Sequence, residues 1–150
     1  MLLVVVLVAI ASGCGGSSGP TRATYGKKVD KLCTTLDDRV SAIQKQAPET
    51  TGELVAFADK LQKVLDDGVR QLSEVQRPDG ADGQKADAWI NELTREKDQA
   101  IKPALADLKK AAQDKDIAAI QRAVKRIQQV DAQKVNQLAR AAGARSCGSA

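Results

Sequence analysis

Apolar residues recur along most of this chain at three- and four-residue steps, the spacing that lines one face of an α-helix. Val29, Leu32, Leu36, Val40 and Ile43 make the first stripe and predict a helix over residues 21–46, ended by Pro48. Cys33 lies beside that stripe. The second helix opens on Thr50 and Glu53, the spacing of a capping box, in which each side chain satisfies a backbone N–H of the first turn. Val55, Ala58, Leu61, Leu65, Val69 and Leu72 form its stripe, flanked by Phe57, Val64 and Val75. Gly68 sits mid-helix, at a cost of about 1 kcal/mol relative to Ala; it marks either a close helix contact or nothing. Pro78-Asp79-Gly80 predicts a turn.

A third helix is predicted over residues 82–113, with Ala86, Trp89, Ile90, Leu93, Ala100, Ile101, Ala104, Leu105 and Leu108 on its buried side. Pro103 lies inside this pattern and predicts a kink, because proline lacks the N–H and clashes with the preceding turn. A fourth helix is predicted from Asp116, as N-cap, to residue 142, with Ile117, Ile120, Val124, Ile127, Val135 and Leu138 as its stripe. Asp131 interrupts that stripe where it drifts, and Gly143 suits a left-handed C-cap. Four amphipathic helices with short loops predict an all-α fold, an up-down-up-down four-helix bundle over residues 21–150. Trp89 has two readings: filler of the bundle core, or an exposed anchor for a partner protein.

One segment breaks the helical period. Leu2 to Ala11 is uninterruptedly apolar, and the small residues Ser12 and Gly13 then lead to Cys14. An apolar run of this length ahead of small residues reads as a secretory signal peptide and is too short for a membrane span. The cysteine placed just after makes Ala11-Ser12-Gly13-Cys14 resemble a bacterial lipobox. That resemblance implies removal of residues 1–13, acylation of Cys14 with diacylglycerol, and a short tether over residues 14–20. Lipoboxes usually carry Leu where Ala11 stands, and residues 1–3 hold no Lys or Arg, so a start codon further upstream is expected. The plainer reading is an ordinary signal peptide that leaves Cys14 as a simple thiol. The Gly- and Ser-rich residues 15–20 would reach only about 13 Å as a flexible chain.

The chain holds three cysteines, Cys14, Cys33 and Cys147. An odd count in a secreted protein needs explaining. Acylation of Cys14 leaves one pair, and a Cys33–Cys147 disulfide would staple the start of the folded part to its end. Two unpaired thiols are the other possibility. A redox pair or metal site draws little support: there is no Cys-x-x-Cys and no His. In an up-down-up-down bundle the first and fourth helices are antiparallel neighbours, so Cys147 meets Cys33 if the tail folds back along the first helix.

Composition narrows the function. Aromatic residues make up 2% of the chain and the net charge is +4. With no His and Met1 as the lone Met, no cofactor is expected, and metal or haem ligands for a bundle core are missing. Asp37-Asp38 and Asp66-Asp67 are adjacent on helices, about 100° apart, so neither pair converges on one ion or proton. Asp79-Gly80-Ala81-Asp82-Gly83 has a faint likeness to a calcium loop but lacks the spacing and the closing Glu. Without His, no familiar nucleophile–base pair forms. No catalytic residues are expected, and the reading is not an enzyme.

Charge is uneven along the chain. Residues 51–100 carry seven basic and eleven acidic groups, whereas residues 101–150 carry ten basic and four. A basic last helix suits anionic lipid or cell-wall polymer, and equally a plain solvated surface. Nucleic acid is a poor fit, since no aromatic residues interleave the basic ones.

The lipobox ending at Cys14, the early Cys33, and a last helix closing with Gly143 and then Cys147-Gly148 together resemble a group of small actinobacterial lipoproteins of uncharacterised role. The resemblance implies a cell-envelope location, lipid-anchored at the outer face of the cytoplasmic membrane, and no activity. The function expected is non-enzymatic: a tethered module that binds an envelope protein or an anionic polymer. The alternative is a carrier of a small apolar ligand between the helices near Pro103. A pocket of about 300 Å³ or more would favour the carrier, and a solid core would remove it.

Overall fold

The computed structural model of the protein describes residues 19–148. The signal peptide expected over residues 1–13 and the acylation expected at Cys14 fall outside the described residues. Among these residues the structure is all-helical, without a strand. Its elements are α1 (Arg22–Gln44), α2 (Thr51–Glu74), α3 (Gly80–Glu96), a π-turn (Lys97–Ile101), α4 (Lys102–Gln113), α5 (Ile117–Gln128), α6 (Gln133–Ala142) and a 3₁₀ turn (Ser146–Gly148).

The helix starts follow the local chemistry of the sequence. Thr21 accepts the Thr24 N–H at 3.2 Å and caps α1. Thr50 accepts the Glu53 N–H at 3.2 Å, and the Glu53 carboxylate accepts the N–H of Thr50 at 3.1 Å and of Glu49 at 2.8 Å. Those backbone N–H groups favour the ionised carboxylate and hold its pKa below the ordinary value. Asp116 accepts the Ala119 N–H at 2.9 Å and starts α5. Gly143 ends α6 at φ 98°, the left-handed conformation that glycine adopts without a Cβ clash.

Two helices depart from the regular form that periodicity predicts. The third runs unbroken from Gly80 to Gln113, and the kink expected at Pro103 takes the form of a π-turn just ahead of it. Proline cannot donate to the Gln99 carbonyl and its ring crowds that group. The chain widens instead, and the Lys102 N–H bonds to the Lys97 carbonyl, five residues back.

The fourth helix, expected as one rod over residues 116–142, is two helices separated by residues 129–132. Ile127 and Val135 are eight residues apart, which on a straight helix puts them roughly 80° out of line. The break lets each half turn its own face inward, and α5 packs on α4 while α6 packs on α3. Asp131 helps make the break, because its carboxylate takes the Gln133 N–H at 2.8 Å.

The interior falls into two clusters. One joins Tyr25, Val29 and Cys33 of α1 to Leu72 of α2, Ala86, Trp89 and Ile90 of α3, and Val135, Ala139 and Ala142 of α6. The other joins Ala58 of α2 to Leu105 and Leu108 of α4 and Ala123 of α5, edged by Leu61, Leu65, Ile120 and Ile127. Beyond Cys33 the α1 stripe is only half-buried. Ile117, expected on the buried stripe, is 59% exposed at the start of α5.

Ion pairs and one hydrogen bond show how the helices run past one another. Arg39 meets Asp67 at 3.6 Å while Gln46 meets Lys60 at 3.3 Å, which sets α1 and α2 antiparallel. Asp66 meets Lys97 at 2.8 Å while Asp59 meets Lys109 at 2.9 Å, which does the same for α2 and the third helix. Close approach is built from small residues. A Cβ on Gly26 would fall onto the Gly143 carbonyl oxygen, and one on Gly68 would meet the Leu36 methyl groups. Gly68 is therefore a point of close contact between α1 and α2.

Candidate functional site

Cys33 sits on the buried face of α1, one turn past Val29. After the Gly143 cap the tail turns back along α1, and the Ser146 N–H donates to the Asp30 carboxylate at 2.7 Å. This brings Cys147 to Cys33, and the two form a disulfide with Cα atoms 5.4 Å apart and a sequence separation of 114.

Beside the disulfide lies an apolar cavity of about 140 Å³. Leu36, Leu65, Val69, Trp89, Leu93 and Ile101 are among the residues that line it. It adjoins the π-turn, which supplies Ile101 and Lys97. Lys97 bonds Asp66 at 2.8 Å and Asp98 at 2.9 Å, and these partners hold its ammonium pKa above the ordinary value.

Trp89 is 1% exposed, so it is a core residue and the anchor reading is set aside. Neither its indole Nε1 nor the Tyr25 hydroxyl has a hydrogen-bond partner among the described residues. Burial raises the Tyr25 pKa; the nearby Arg77 charge opposes that rise and Asp87 adds to it.

Glu92 is the one charged residue among the buried side chains of the described residues, at 8% exposure. Arg95 bonds it at 2.6 Å and Lys134 of α6 at 3.1 Å. The Arg95 hydrogen bond is the main cause that pulls its carboxyl pKa down to about 2, against an ordinary 4.5. The arrangement is an ion cluster that ties α3 to α6. It leaves the carboxylate ionised at neutral pH and gives it no proton to transfer.

Of the acidic pairs singled out in the sequence, Asp66 and Asp67 turn to different partners. Asp66 faces Lys97, whereas Asp67 faces Arg39 and Arg70, each at 3.6 Å. In the calcium-like segment, Asp79 accepts the Gly19 N–H at 2.9 Å and Asp82 pairs with Lys85 at 2.9 Å. Among the described residues no group of three or more carboxylates and cysteines is placed to hold a metal ion. No helix of the described residues is long and apolar enough to cross a membrane.

Linear reading missed one charged feature. At the end of the molecule where α1 starts and α6 stops, Arg22, Lys27, Arg140 and Arg145 surround an open cleft of about 540 Å³, with Asp30 the acidic residue on its wall. Its two walls come from segments more than a hundred residues apart in the chain. The antiparallel return predicted for the fourth helix was the only clue that they would meet. Comparison with known protein families, with curated proteins and with solved structures finds no match for this chain.

Proposed function

We propose that the chain is a lipoprotein, held at the outer face of a cell membrane by an acylated Cys14, whose helical domain serves as a non-enzymatic binding or scaffold module. The observation that carries this reading is the cysteine inventory. With Cys33 and Cys147 joined to each other, Cys14 is the remaining cysteine of three, and it is the one that follows the lipobox-like Ala11-Ser12-Gly13. A disulfide also belongs to an oxidising, extracytoplasmic compartment.

The domain reads as an up-down-up-down bundle. Helices packed in chain order, antiparallel ion pairs and a tail that returns to α1 all suit that topology. The module reading draws on the polar chemistry, in which most carboxylates of the described residues pair with Lys, Arg or backbone N–H and no three of them gather around one point.

Replacing Cys14 by Ser should move the protein from the membrane fraction to the soluble extracytoplasmic fraction, with its melting temperature unchanged. Persistence at the membrane would overturn the anchor. Proximity labelling of the anchored protein in its own envelope would then identify the protein or anionic polymer beside it. No reproducible neighbour would end the scaffold reading.

A second reading, the apolar-ligand carrier, has the cavity at the π-turn behind it, in a smaller form than the pocket of about 300 Å³ expected from the sequence. Its 140 Å³ is close to engineered cavities of about 150 Å³ that hold benzene, and well below the roughly 300–1,000 Å³ of ordinary ligand pockets. A carrier built on it takes a ligand of benzene size and no lipid chain. Saturating benzene should raise the melting temperature on this reading, and an unchanged melt would remove it.

A further inference from the structure

Membrane anchoring through Cys14 raises the question of which end of the domain meets the bilayer. Gly19 donates its N–H to the Asp79 carboxylate at 2.9 Å, which pins the entering chain at the end where α1 and α3 start and α2 and α6 stop. Cys14 lies five residues before Gly19, a reach of at most about 18 Å even when fully extended. An acyl group on Cys14 thus holds this end of the domain against the headgroups.

That same end carries the basic cleft. Its walls present Arg22, Lys27, Arg140 and Arg145. Arg22 also donates to the Arg140 carbonyl at 3.0 Å, which fixes the start of α1 against the end of α6. The one acidic residue on the cleft, Asp30, already accepts the Ser146 N–H at 2.7 Å. Nearby on α3, Asp82 is offset by Lys85 and Asp87 by Arg77, while Asp79 at the preceding turn holds the Gly19 N–H and keeps its charge. Guanidinium groups match phosphate oxygens in two-point hydrogen bonds. A cluster of cations within a Debye length of an anionic leaflet is attracted to it, by about a fivefold gain in occupancy per cation.

We propose that this cleft docks on the phosphate headgroups of anionic lipids, so that the domain stands upright on the membrane with its basic end down and its opposite end, around the α1–α2 and α4–α5 turns, presented outward. The inference rests on the anchored reading of Cys14.

The test uses the full mature chain isolated from the envelope, with the mass of its N-terminus measured. The chain is reconstituted in phosphatidylcholine vesicles with and without phosphatidylglycerol. Trp89, the single Trp, serves as donor to an acceptor carried on the lipid headgroups. Docking predicts greater energy transfer in the phosphatidylglycerol vesicles. That gain should disappear at about 1 M salt, where the Debye length is about 3 Å. Exchanging the exposed Lys27 and Arg145 together for Gln should lower the docked-to-undocked ratio roughly thirtyfold, at an unchanged melting temperature.

Equal transfer in the two vesicle types, or a gain that survives in the double variant, overturns the proposal. So does a cleft that binds soluble poly(glycerol phosphate) while the vesicles give no gain, which would assign it to a wall polymer. An N-terminus without an acyl group refutes the anchor separately. The unacylated chain's preference for phosphatidylglycerol vesicles, and its loss in the double variant, then scores the cleft.

Discussion

Breaking the Cys33–Cys147 bond is the perturbation whose size follows most directly from the structure. The bond closes a loop with a sequence separation of 114, nearly the whole domain. The chain-entropy account of such a cross-link gives about 5 kcal/mol of stabilisation at 25 °C, the top of the usual range, because a reduced unfolded chain gains that much more freedom. For a domain of this size the loss corresponds to a fall in Tm on the order of 15 °C. Alanine is the cleaner replacement, because Cys33 is 6% exposed and a serine hydroxyl there would be buried beside apolar neighbours.

Urea unfolding of Cys33→Ala, Cys147→Ala and the double variant forms a cycle. Each single change should lose nearly the full amount, and the second should add little, so the coupling energy should be close to either single loss. Reductant added to the unaltered protein should reproduce the effect. The m-value should rise in all three variants, since an unfolded chain without the cross-link exposes more surface. Losses that add, or a reductant that changes nothing, would refute the pairing and the entropic argument together.

Other outcomes follow from single residues. Glu92→Gln should change the pH dependence of stability. The folded carboxyl titrates near 2 against an ordinary 4.5, so its contribution is present above about pH 4.5 and is lost as the pH falls through 2. The stability difference between the two proteins should shrink over that window in acid titrations monitored by circular dichroism, and a difference that is flat with pH would contradict the ion cluster. Leu105→Ala, at 1% exposure, should cost about 2–5 kcal/mol, whereas Ile117→Ala at 59% exposure should cost no more than about 0.5 kcal/mol in the same denaturation assay. Equal losses would show that the stripe of the fourth helix is misplaced. Gly26→Ala should destabilise by about 1–3 kcal/mol, because the new methyl group falls onto the Gly143 carbonyl and neither backbone can move cheaply. A neutral result there would mean that α1 and the end of α6 are not in contact.

Helix existence and caps were legible because their causes are local. The capping box at Thr50 and Glu53, the Asp116 cap and the left-handed Gly143 each depend on side chains within a few residues. The irregularities had local triggers but non-local outcomes. Pro103 announces a fault, yet its ring alone does not say whether the helix bends or widens. Asp131 marks the drift in the last stripe, yet the break appears because α5 and α6 must each face a different half of the long third helix. Ile117 belongs to the stripe by spacing alone, and the end of the bundle leaves it uncovered. The disulfide was legible from cysteine count and topology. The cavity was not, because it depends on how Leu36, Trp89 and Ile101 fail to fill the space between α1, α2, the third helix and α6. The basic cleft needed the two ends of the chain to be brought side by side.

The central claim, a membrane-anchored domain whose only cysteine outside the disulfide is Cys14, is tested most directly by the intact mass and N-terminal peptide of the protein purified from the membrane fraction. The account predicts a chain that begins at Cys14 and carries the mass of a diacylglycerol group, with Cys33 and Cys147 oxidised to each other. A mature chain that begins at any other residue, or an unmodified Cys14, would contradict it.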